Sequence, residues 1–327
     1  MQNIKNKIYQ MFILGFKGDN LKSAPNLLNA LEKNLGGVIF FTQNIKSFEQ
    51  TKKLIEDIKK QAKIPLFLSV DEEGGRVERT ENLFQGKKFL SAKFAAQKGE
   101  DFLREQMEQI SRLLKYLGLN LNFAPVLDVN TNPANPIIGE RAFSDNTEEV
   151  IKFGKIVVDM YLKNRIIPCL KHFPGHGDAS IDSHIALPQI DLDLKEMEKY
   201  HIKPFKEVDC PMIMVAHLYC KAFDAEKIPS SLSKNVVGYL KNTLNYKGLI
   251  ITDDMVMGGI TQNIYNQDSA CMAIKAGVDI LLYRNSDDNT IKIIEKLAEK
   301  AESDEVLYER IEESYNKIIQ FKNSFFV

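Results

Sequence analysis

The chain has 327 residues, of which 44% are hydrophobic and 27% charged, and its 43 Lys and Arg nearly balance 44 Asp and Glu. This composition is typical of a globular protein with a sizeable core, and its balanced charge gives no overall field favouring nucleic acid or a membrane surface. No stretch approaches the roughly 20 apolar residues of a spanning helix, and the first apolar run is too short for a signal peptide. We expect a cytoplasmic protein that binds neither nucleic acid nor membranes.

Eight short apolar runs, rich in Val, Ile, Leu and Phe, recur along the chain. They do not alternate strictly between polar and apolar residues, which is typical of parallel strands buried on both faces. The runs span residues 11–16, 36–41, 65–71, 119–129, 167–173, 212–218, 248–254 and 278–284.

Amphipathic segments between these runs predict helices over 48–63, 102–118 and 146–164, and one or two more from about 288 to 322. Gly118 is a common kind of helix stop, and Asn146 followed by Glu149 resembles a capping box. Eight strands each followed by a helix predict an α/β fold, a (β/α)8 TIM barrel. A doubly wound sheet usually has fewer strands and a Gly-rich GxGxxG turn, which does not occur here. With no Pro/Ser-rich linker, we expect one catalytic domain over 1–327, with a C-terminal helical segment at about 288–327.

Ionisable residues follow most of the predicted strands, where turn residues would otherwise be expected. Because a TIM barrel carries its chemistry at the carboxyl ends of the strands, this pattern predicts an active site in that mouth. The residues are Asp71, Asp128, Lys171, His172, His217, Asp253, Asp254 and Arg284.

The four cysteines, at positions 169, 210, 220 and 271, form no CxxC pair and lie in or near apolar runs. Reduced, buried thiols are favoured over disulfides or a zinc site.

The segment KHFPGHGDASIDSH (171–184) holds three of the five histidines, and its chemistry is open on spacing alone. His172 and His176 have the spacing of zinc ligands, but the intervening Phe-Pro-Gly disfavours a helix. A serine-hydrolase triad from residues 182–184 is weak, since no GxSxG elbow is present. Asp182 and His184 could form an acid/base dyad, because alternate residues of an extended chain share a face. A structural role for the histidines is the remaining alternative.

Four segments resemble glycoside hydrolase family 3: VDEEGGRVERT (70–80), IIGERAF (137–143), KHFPGHGDASIDSHIALP (171–188) and GLIITDDM (248–255). They occur in the family's order, and the likeness covers about residues 8–285. It is greatest for the family's single-domain bacterial β-N-acetylglucosaminidases of peptidoglycan recycling. Glu72 and Glu140 depart from the pattern, standing where Gln and Asp are expected.

The resemblance implies a role for each matching residue. Asp253 matches the catalytic nucleophile, His184 the general acid/base and Asp182 its dyad partner. The residues that would bind sugar hydroxyls are Asp71, Arg79, Arg141, Lys171 and His172. As further hypotheses, His176 shapes its loop and Asp254 supports Asp253.

These roles imply a retaining exo-β-N-acetylglucosaminidase acting on small muropeptide fragments, including N-acetylglucosaminyl-1,6-anhydro-N-acetylmuramic acid, through a glycosyl-aspartate intermediate. No metal or other cofactor is expected, and we expect a monomer. The alternatives are a family 3 β-glucosidase, a glycoside phosphorylase or, from another class, a TIM-barrel metallohydrolase.

Overall fold

Eight parallel strands close into a barrel in the computed structural model, which describes residues 2–179, 187–261 and 266–326. Each strand pairs with its sequence neighbours, and β1 pairs with β8. The fifth strand is interrupted at Cys169, so that its first segment pairs with β4 and its second with β6. The strands are β1 Phe12–Leu14, β2 Gly37–Phe40, β3 Phe67–Val70, β4 Leu121–Asn122, β5 Ile167–Pro168 with Leu170–Phe173, β6 Met212–Val215, β7 Leu249–Asp254 and β8 Ile280–Tyr283. The predicted (β/α)8 barrel is confirmed.

The strands are buried on both faces, which explains why their sequences do not alternate. Every residue of β1, β2, β3, β6 and β8 is buried. One face fills the barrel interior while the other packs against the helices, as expected for a parallel sheet covered on both sides. The four cysteines are buried and free, as predicted.

The strand predicted over 119–129 forms regular β-sheet pairing over a much shorter length than predicted. Only Leu121–Asn122 forms a regular strand, and Pro125 further along has no N–H to donate to a ladder. The chain nevertheless continues beside β5, because the Leu127 N–H donates to the Lys171 carbonyl at 2.7 Å. The Ala124–Pro125, Lys171–His172 and Phe173–Pro174 peptide bonds are cis.

The helices surround the barrel, and those predicted at 48–63, 102–118, 146–164 and beyond 288 are present. The described helices are α1 Gln2–Gln10, α2 Pro25–Glu32, α3 Phe48–Gln61, α4 Ala92–Gln97, α5 Glu100–Leu117, α6 Thr147–Lys163, α7 Leu194–Glu196 continued by Met197–Ile202 and Lys203–Glu207, α8 Lys234–Gly238 continued by Tyr239–Thr243, α9 Gly258–Thr261, α10 Asn266–Ala276, α11 Asp288–Ala301 and α12 Glu305–Phe325. Within the described ranges, none of them combines the length and apolar character needed to cross a bilayer.

Helix caps follow the sequence signals with one modification. α5 ends at Gly118, whose φ of 93° is accessible to glycine at little cost. At the start of α6, the Asn146 side chain accepts from the Glu149 N–H at 3.2 Å. The reciprocal arm of the capping box runs through Ser144, whose hydroxyl accepts from the Asn146 N–H and donates to the Glu149 carboxylate.

The C-terminal helix α12 closes the end of the barrel at which the strands begin. The Phe321 ring packs against Phe67 at the start of β3, with centroids 6.0 Å apart. Lys322 reaches the same region and donates to Gln10 Oε1 at 3.0 Å and to the Gly36 carbonyl at 2.8 Å. Chemistry at the barrel axis is therefore confined to the opposite, carboxyl end of the strands.

Candidate active site

A cavity of ≈ 200 Å³ opens at the carboxyl ends of the strands. It is lined by charged and apolar side chains from β2 to β8 and the loops that follow these strands. These residues are Ile39, Phe41, Asp71, Glu73, Val77, Arg79, Ile137, Arg141, Lys171, His172, His176, Met214, Asp253, Asp254, Met257, Leu282 and Arg284. The structure thus places an active-site candidate in the predicted mouth.

Lys171 is the centre of a buried charge cluster on one wall of this cavity. Its ammonium group lies 2.8 Å from Asp71 Oδ1 and 2.5 Å from Glu73 Oε1, and its side chain is only 2% exposed. Burial disfavours the charged amine, but the two carboxylates outweigh that effect and raise the pKa of Lys171. The side chain is therefore a fixed cation.

Glu73 joins Lys171 to Arg141 through a two-point contact. Arg141 Nε and Nη2 lie 2.8 and 2.9 Å from the two oxygens of Glu73, a geometry that only arginine offers a carboxylate. Burial would favour the protonated acid, but Arg141 and Lys171 hold the pKa of Glu73 far below its ordinary value. Both cations are thereby held rigidly at the wall.

Asp128, which is buried behind the cavity, orients two histidines. Its Oδ2 lies 2.7 Å from His172 Nδ1, and its Oδ1 accepts from the His176 backbone N–H at 2.6 Å. His172 Nε2 lies 3.4 Å from Arg141 Nη2, and because arginine can only donate, this contact favours a tautomer with the proton on Nδ1. Burial lowers the pKa of His176 to about 4, so this ring is neutral at pH 7.

Asp253 lies half-buried at the end of β7 and opens onto the cavity. Its Oδ1 accepts from the Asp254 N–H at 2.7 Å, which fixes the orientation of the carboxylate. Burial would raise its pKa, but His172, His217 and Lys171 lie close enough to hold it below the ordinary value. Burial also lowers the pKa of His217, so that ring is neutral at pH 7, whereas Lys171 is a fixed cation.

Asp254 forms a second, separate ion pair at the cavity opening. Its Oδ2 lies 2.5 Å from Arg284 Nε, whose side chain is 43% exposed. Burial raises the pKa of Asp254 to about 6, with Arg284 acting in the opposite direction. Two adjacent aspartates thus have different environments: Asp253 opens onto the cavity without a close ion pair among the described residues, and Asp254 is paired with the exposed Arg284.

A short hairpin, Glu72–Gly74 with Val77–Glu78, carries Arg79 to the cavity. Glu72 is buried beneath it and accepts from the Arg79 and Thr80 N–H groups and from the Thr80 hydroxyl. The guanidinium of Arg79 lies 5.6 Å from the centre of the Phe41 ring and 3.9 Å from Asp71. The hairpin therefore holds Arg79 at the wall of the cavity, beside Asp71 and Phe41.

The structure brings together six predicted site residues in one cavity: Asp71, Arg79, Arg141, Lys171, His172 and Asp253. The other two, Asp182 and His184, lie in segment 180–186, outside the described residues. The roles given to all eight stay predictions.

Three functional side chains were missed or left unassigned by the sequence reasoning. Glu73 could have been found from its spacing, because it stands two residues after Asp71 and alternate residues of an extended chain share a face. Asp128 was noted only as a strand-end residue, and the sequence holds no signal that it pairs with His172. His217 bonds through Nδ1 to the Ser231 hydroxyl at 2.7 Å, a contact fixed by the loop after β6.

The arrangement suits a neutral ligand that carries many hydroxyl groups. Paired Asp, Glu, Lys and Arg side chains offer donors and acceptors at fixed positions, while Ile39, Val77, Ile137 and Met214 add apolar surface. An ionised carboxylate at the base of the cavity can act as a nucleophile or stabilise a developing positive charge.

Comparison with known proteins agrees with this chemistry. Residues 3–321 match the family model described as Glycosyl hydrolase family 3 N terminal domain. The chain is 33% identical over 331 residues to beta-hexosaminidase A of Pseudoalteromonas piscicida, covering 91% of this chain and 55% of that protein. It is 32% identical over 272 residues to a beta-hexosaminidase of Idiomarina loihiensis, covering 80% of each.

Among solved structures, the chain resembles a glycoside hydrolase family 3 beta-N-acetylglucosaminidase from Paenibacillus sp. str. FPU-7. The TM-score is 0.90 at 31% identity, over 99% of this chain and 63% of that one. The chain thus spans 55% and 63% of the lengths of two of these relatives, and the shared part is the barrel. Because the family model covers nearly the whole sequence, the chain belongs to glycosyl hydrolase family 3.

Proposed function

We propose that this protein is a retaining exo-β-N-acetylglucosaminidase that hydrolyses terminal β-linked N-acetylglucosamine. The observation that carries the proposal is the ionised Asp253 carboxylate at the base of a small cavity walled by hydroxyl-binding charge pairs. The activity itself is suggested by relatives named as beta-hexosaminidases and beta-N-acetylglucosaminidases.

In the proposed first step, one Asp253 oxygen attacks the anomeric carbon while a general acid protonates the departing glycosidic oxygen. The bond from the anomeric carbon to the leaving group breaks, and a glycosyl–Asp253 ester forms. In the second step a base takes a proton from water, water attacks the anomeric carbon, and the free carboxylate returns. We assign the acid and the base to His184, with Asp182 as its partner, by the resemblance alone.

The charge cluster supports binding of the terminal sugar. Lys171, Asp71 and the Glu73–Arg141 pair present rigid donors and acceptors, so little conformational freedom is lost when hydroxyl groups bind them. A cavity of ≈ 200 Å³ suits a single terminal residue better than the middle of a long chain.

We further propose muropeptide fragments as the natural substrate, including N-acetylglucosaminyl-1,6-anhydro-N-acetylmuramic acid with or without peptide. The support for this finer assignment is the sequence resemblance to peptidoglycan-recycling enzymes. Release of N-acetylglucosamine from purified fragments, compared with chitobiose, tests it.

The central experiment measures chromophore release from aryl β-N-acetylglucosaminide, β-glucoside and β-N-acetylgalactosaminide. We expect the first to be cleaved with the highest kcat/KM. Preference for the glucoside, product phosphorylation in phosphate buffer or loss of activity with a chelator would favour a β-glucosidase, a phosphorylase or a metallohydrolase, respectively.

The nucleophile is tested by trapping and by substitution. A slow 5-fluoro sugar should label the peptide containing Asp253, and Asp253→Asn should lower kcat/KM by at least about 10³-fold, since a nucleophile acts as a unit with its acid and base. Asp57→Asn on the outer surface of α3 is the matched control and should leave kcat/KM unchanged. A label on another peptide would contradict the assignment.

A further inference from the structure

Two barrel strands depart from regular pairing at the predicted functional residues. On β5, Leu170 pairs with Ile213 and Phe173 with Val215, so three steps on β5 match two on β6. On β7, Ile251 pairs with Ile280 and Asp254 with Leu282, again three steps against two. Each strand therefore contains one extra residue, a β-bulge, at Lys171–His172 and at Thr252–Asp253.

A bulge changes which side chains face the cavity. In a regular strand consecutive side chains point to opposite faces, whereas here the adjacent Lys171 and His172 both line the cavity, as do Asp253 and Asp254. Bulges next to active sites re-aim side chains in this way. The direction of the Asp253 carboxylate therefore depends on what holds the bulge in β7.

The Thr252 hydroxyl holds one side of this bulge. The Thr252 Oγ1 accepts from the backbone N–H of Leu282 on β8 at 3.1 Å. On the opposite edge of β7, Thr252 pairs with Val215 of β6 in regular register. Thr252 is fully buried and does not line the cavity. Its side chain thus joins β7 to β8 at the position of the extra residue, without reaching the substrate space.

Asp254 holds the other side. Its Oδ1 accepts from the backbone N–H groups of Val256 and Arg284, both at 3.1 Å, and its own N–H donates to Asp253 Oδ1 at 2.7 Å. One oxygen of Asp253 is thus oriented by the backbone between the two fixed points, at residues 252 and 254. We assign the attack to the other oxygen.

We propose that Thr252 is a positioning residue for the nucleophile: its hydroxyl fixes the β7 bulge that aims Asp253 into the cavity. The proposal deepens the proposed function, since it depends on Asp253 acting as the nucleophile. Thr252 acts through Asp253 and makes no contact with the sugar, so its loss should slow attack on the anomeric carbon and leave ground-state binding nearly intact.

The test compares Thr252→Val, which keeps the shape and removes the hydroxyl, with Thr252→Ser, which keeps the hydroxyl. The rate of glycosyl-enzyme formation is read as the first-turnover release of the aryl group. We expect Thr252→Val to lower this rate about 10- to 100-fold with KM changed less than threefold, and Thr252→Ser to retain at least a third of the wild-type rate. Thr51→Val, the same substitution at a buried position on α3, is the control and should leave the rate unchanged.

Three results would overturn the proposal: a Thr252→Val rate within twofold of wild type, equal losses in the Val and Ser variants, or a loss confined to KM. If Thr252→Val does not fold, as judged by thermal unfolding, Thr252→Ala against Thr252→Ser gives the same comparison. The rate is measured on whichever aryl glycoside the wild-type protein cleaves fastest. An error in the proposed sugar therefore appears in the substrate panel and not in this test.

Discussion

Two lysines are almost completely buried at opposite ends of the barrel, and the protein accommodates their charges in opposite ways. Lys171, at the mouth, has a side chain 2% exposed and lies against the Asp71 and Glu73 carboxylates. Lys322, at the closed end, is 1% exposed and has no carboxylate partner among the described residues: it donates to an amide oxygen and a carbonyl, and its Nζ lies 4.6 Å from the centre of the Phe67 ring. The pKa of Lys171 is raised because its carboxylate partners outweigh burial, whereas burial lowers that of Lys322 to about 7.

The opposite pKa shifts distinguish the charge cluster at the mouth, which we propose binds the ligand, from the structural contacts of Lys322 at the closed end. Burying a charge is tolerated when it is paired and hydrogen-bonded, and a buried charge without a counterion tends to lose its proton instead. At the mouth, Lys171 and its carboxylate partners stay ionised although they are desolvated, and they therefore present fixed charges to a ligand. The closed end offers this amine no carboxylate among the described residues, and near pH 7 the amine is only partly protonated.

The largest expected effect is that of Lys171→Met, which removes the cation from the mouth cluster. Asp71 and Glu73 would be left close together without their shared partner, and breaking such a buried pair costs about 3–5 kcal/mol. We expect kcat/KM on an aryl glycoside to fall about 10²- to 10³-fold, together with a lower unfolding temperature. Lys322→Met is the matched control for activity and should keep kcat/KM within a few-fold of wild type. Comparable activity losses in the two variants would remove the functional distinction between the barrel ends.

The second effect is on stability and follows from Lys322. Its folded-state pKa of about 7 lies below the unfolded value near 10.5, so between these pH values the unfolded chain binds more protons. This group therefore makes the free energy of unfolding rise with pH from 7 to 10, by up to about 1.4 kcal/mol per pH unit, and adds no slope below 7. In Lys322→Met this slope should be absent.

Urea denaturation of wild type and Lys322→Met at pH 6, 7, 8 and 9 measures the contribution as the difference between the two stability curves. Lys60→Met, at an exposed position on α3, should give a curve parallel to wild type. If the Lys322→Met curve is also parallel, the amine is charged in the folded protein and the comparison of the two lysines is wrong.

The smallest effect concerns neighbouring glutamates at the mouth. Glu73 has cationic partners, while Glu72 bonds to backbone N–H groups and a hydroxyl, and burial raises the pKa of Glu72 to about 7. Its folded pKa exceeds the unfolded value, so the folded state binds more protons between about 4.5 and 7, and this group lowers stability as pH rises through that range. Glu72→Gln should remove this loss and be more stable than wild type at pH 8 by on the order of 1–3 kcal/mol.

Thermal or urea unfolding at pH 5 and pH 8 checks this prediction. The gain of Glu72→Gln over wild type should be larger at pH 8 than at pH 5. Removing the Glu72 charge should also lower the pKa of Glu78, which pairs with it across the hairpin and is raised to about 7 by burial and by that charge. Glu56→Gln on the surface of α3 is the control. An equal gain at both pH values would show that Glu72 is not ionised in the folded protein at pH 8.

The sequence by itself determined the barrel and the end at which its chemistry lies. Strand identity is a local property, because a run such as GLIITDD is apolar enough to be buried on both faces whatever its neighbours are. The position of Asp71, Lys171 and Asp253 at strand ends is equally local. Because the parallel strands close into a barrel, their carboxyl ends and these three residues meet at one end of it.

Only the tertiary structure decided which of these residues interact. Asp71 and Lys171 are 100 residues apart, and their ion pair depends on strand order and register, which local patterns do not encode. The bulge at Thr252–Asp253 arises from the pairing of β7 with β8, and Lys322 has the appearance of an ordinary helix-surface lysine until α12 packs on the barrel. Local periodicity determines the helices and strands and the faces that they bury. The contacts that set the charge states of the buried lysines and the direction of the Asp253 carboxylate depend on residues distant in sequence.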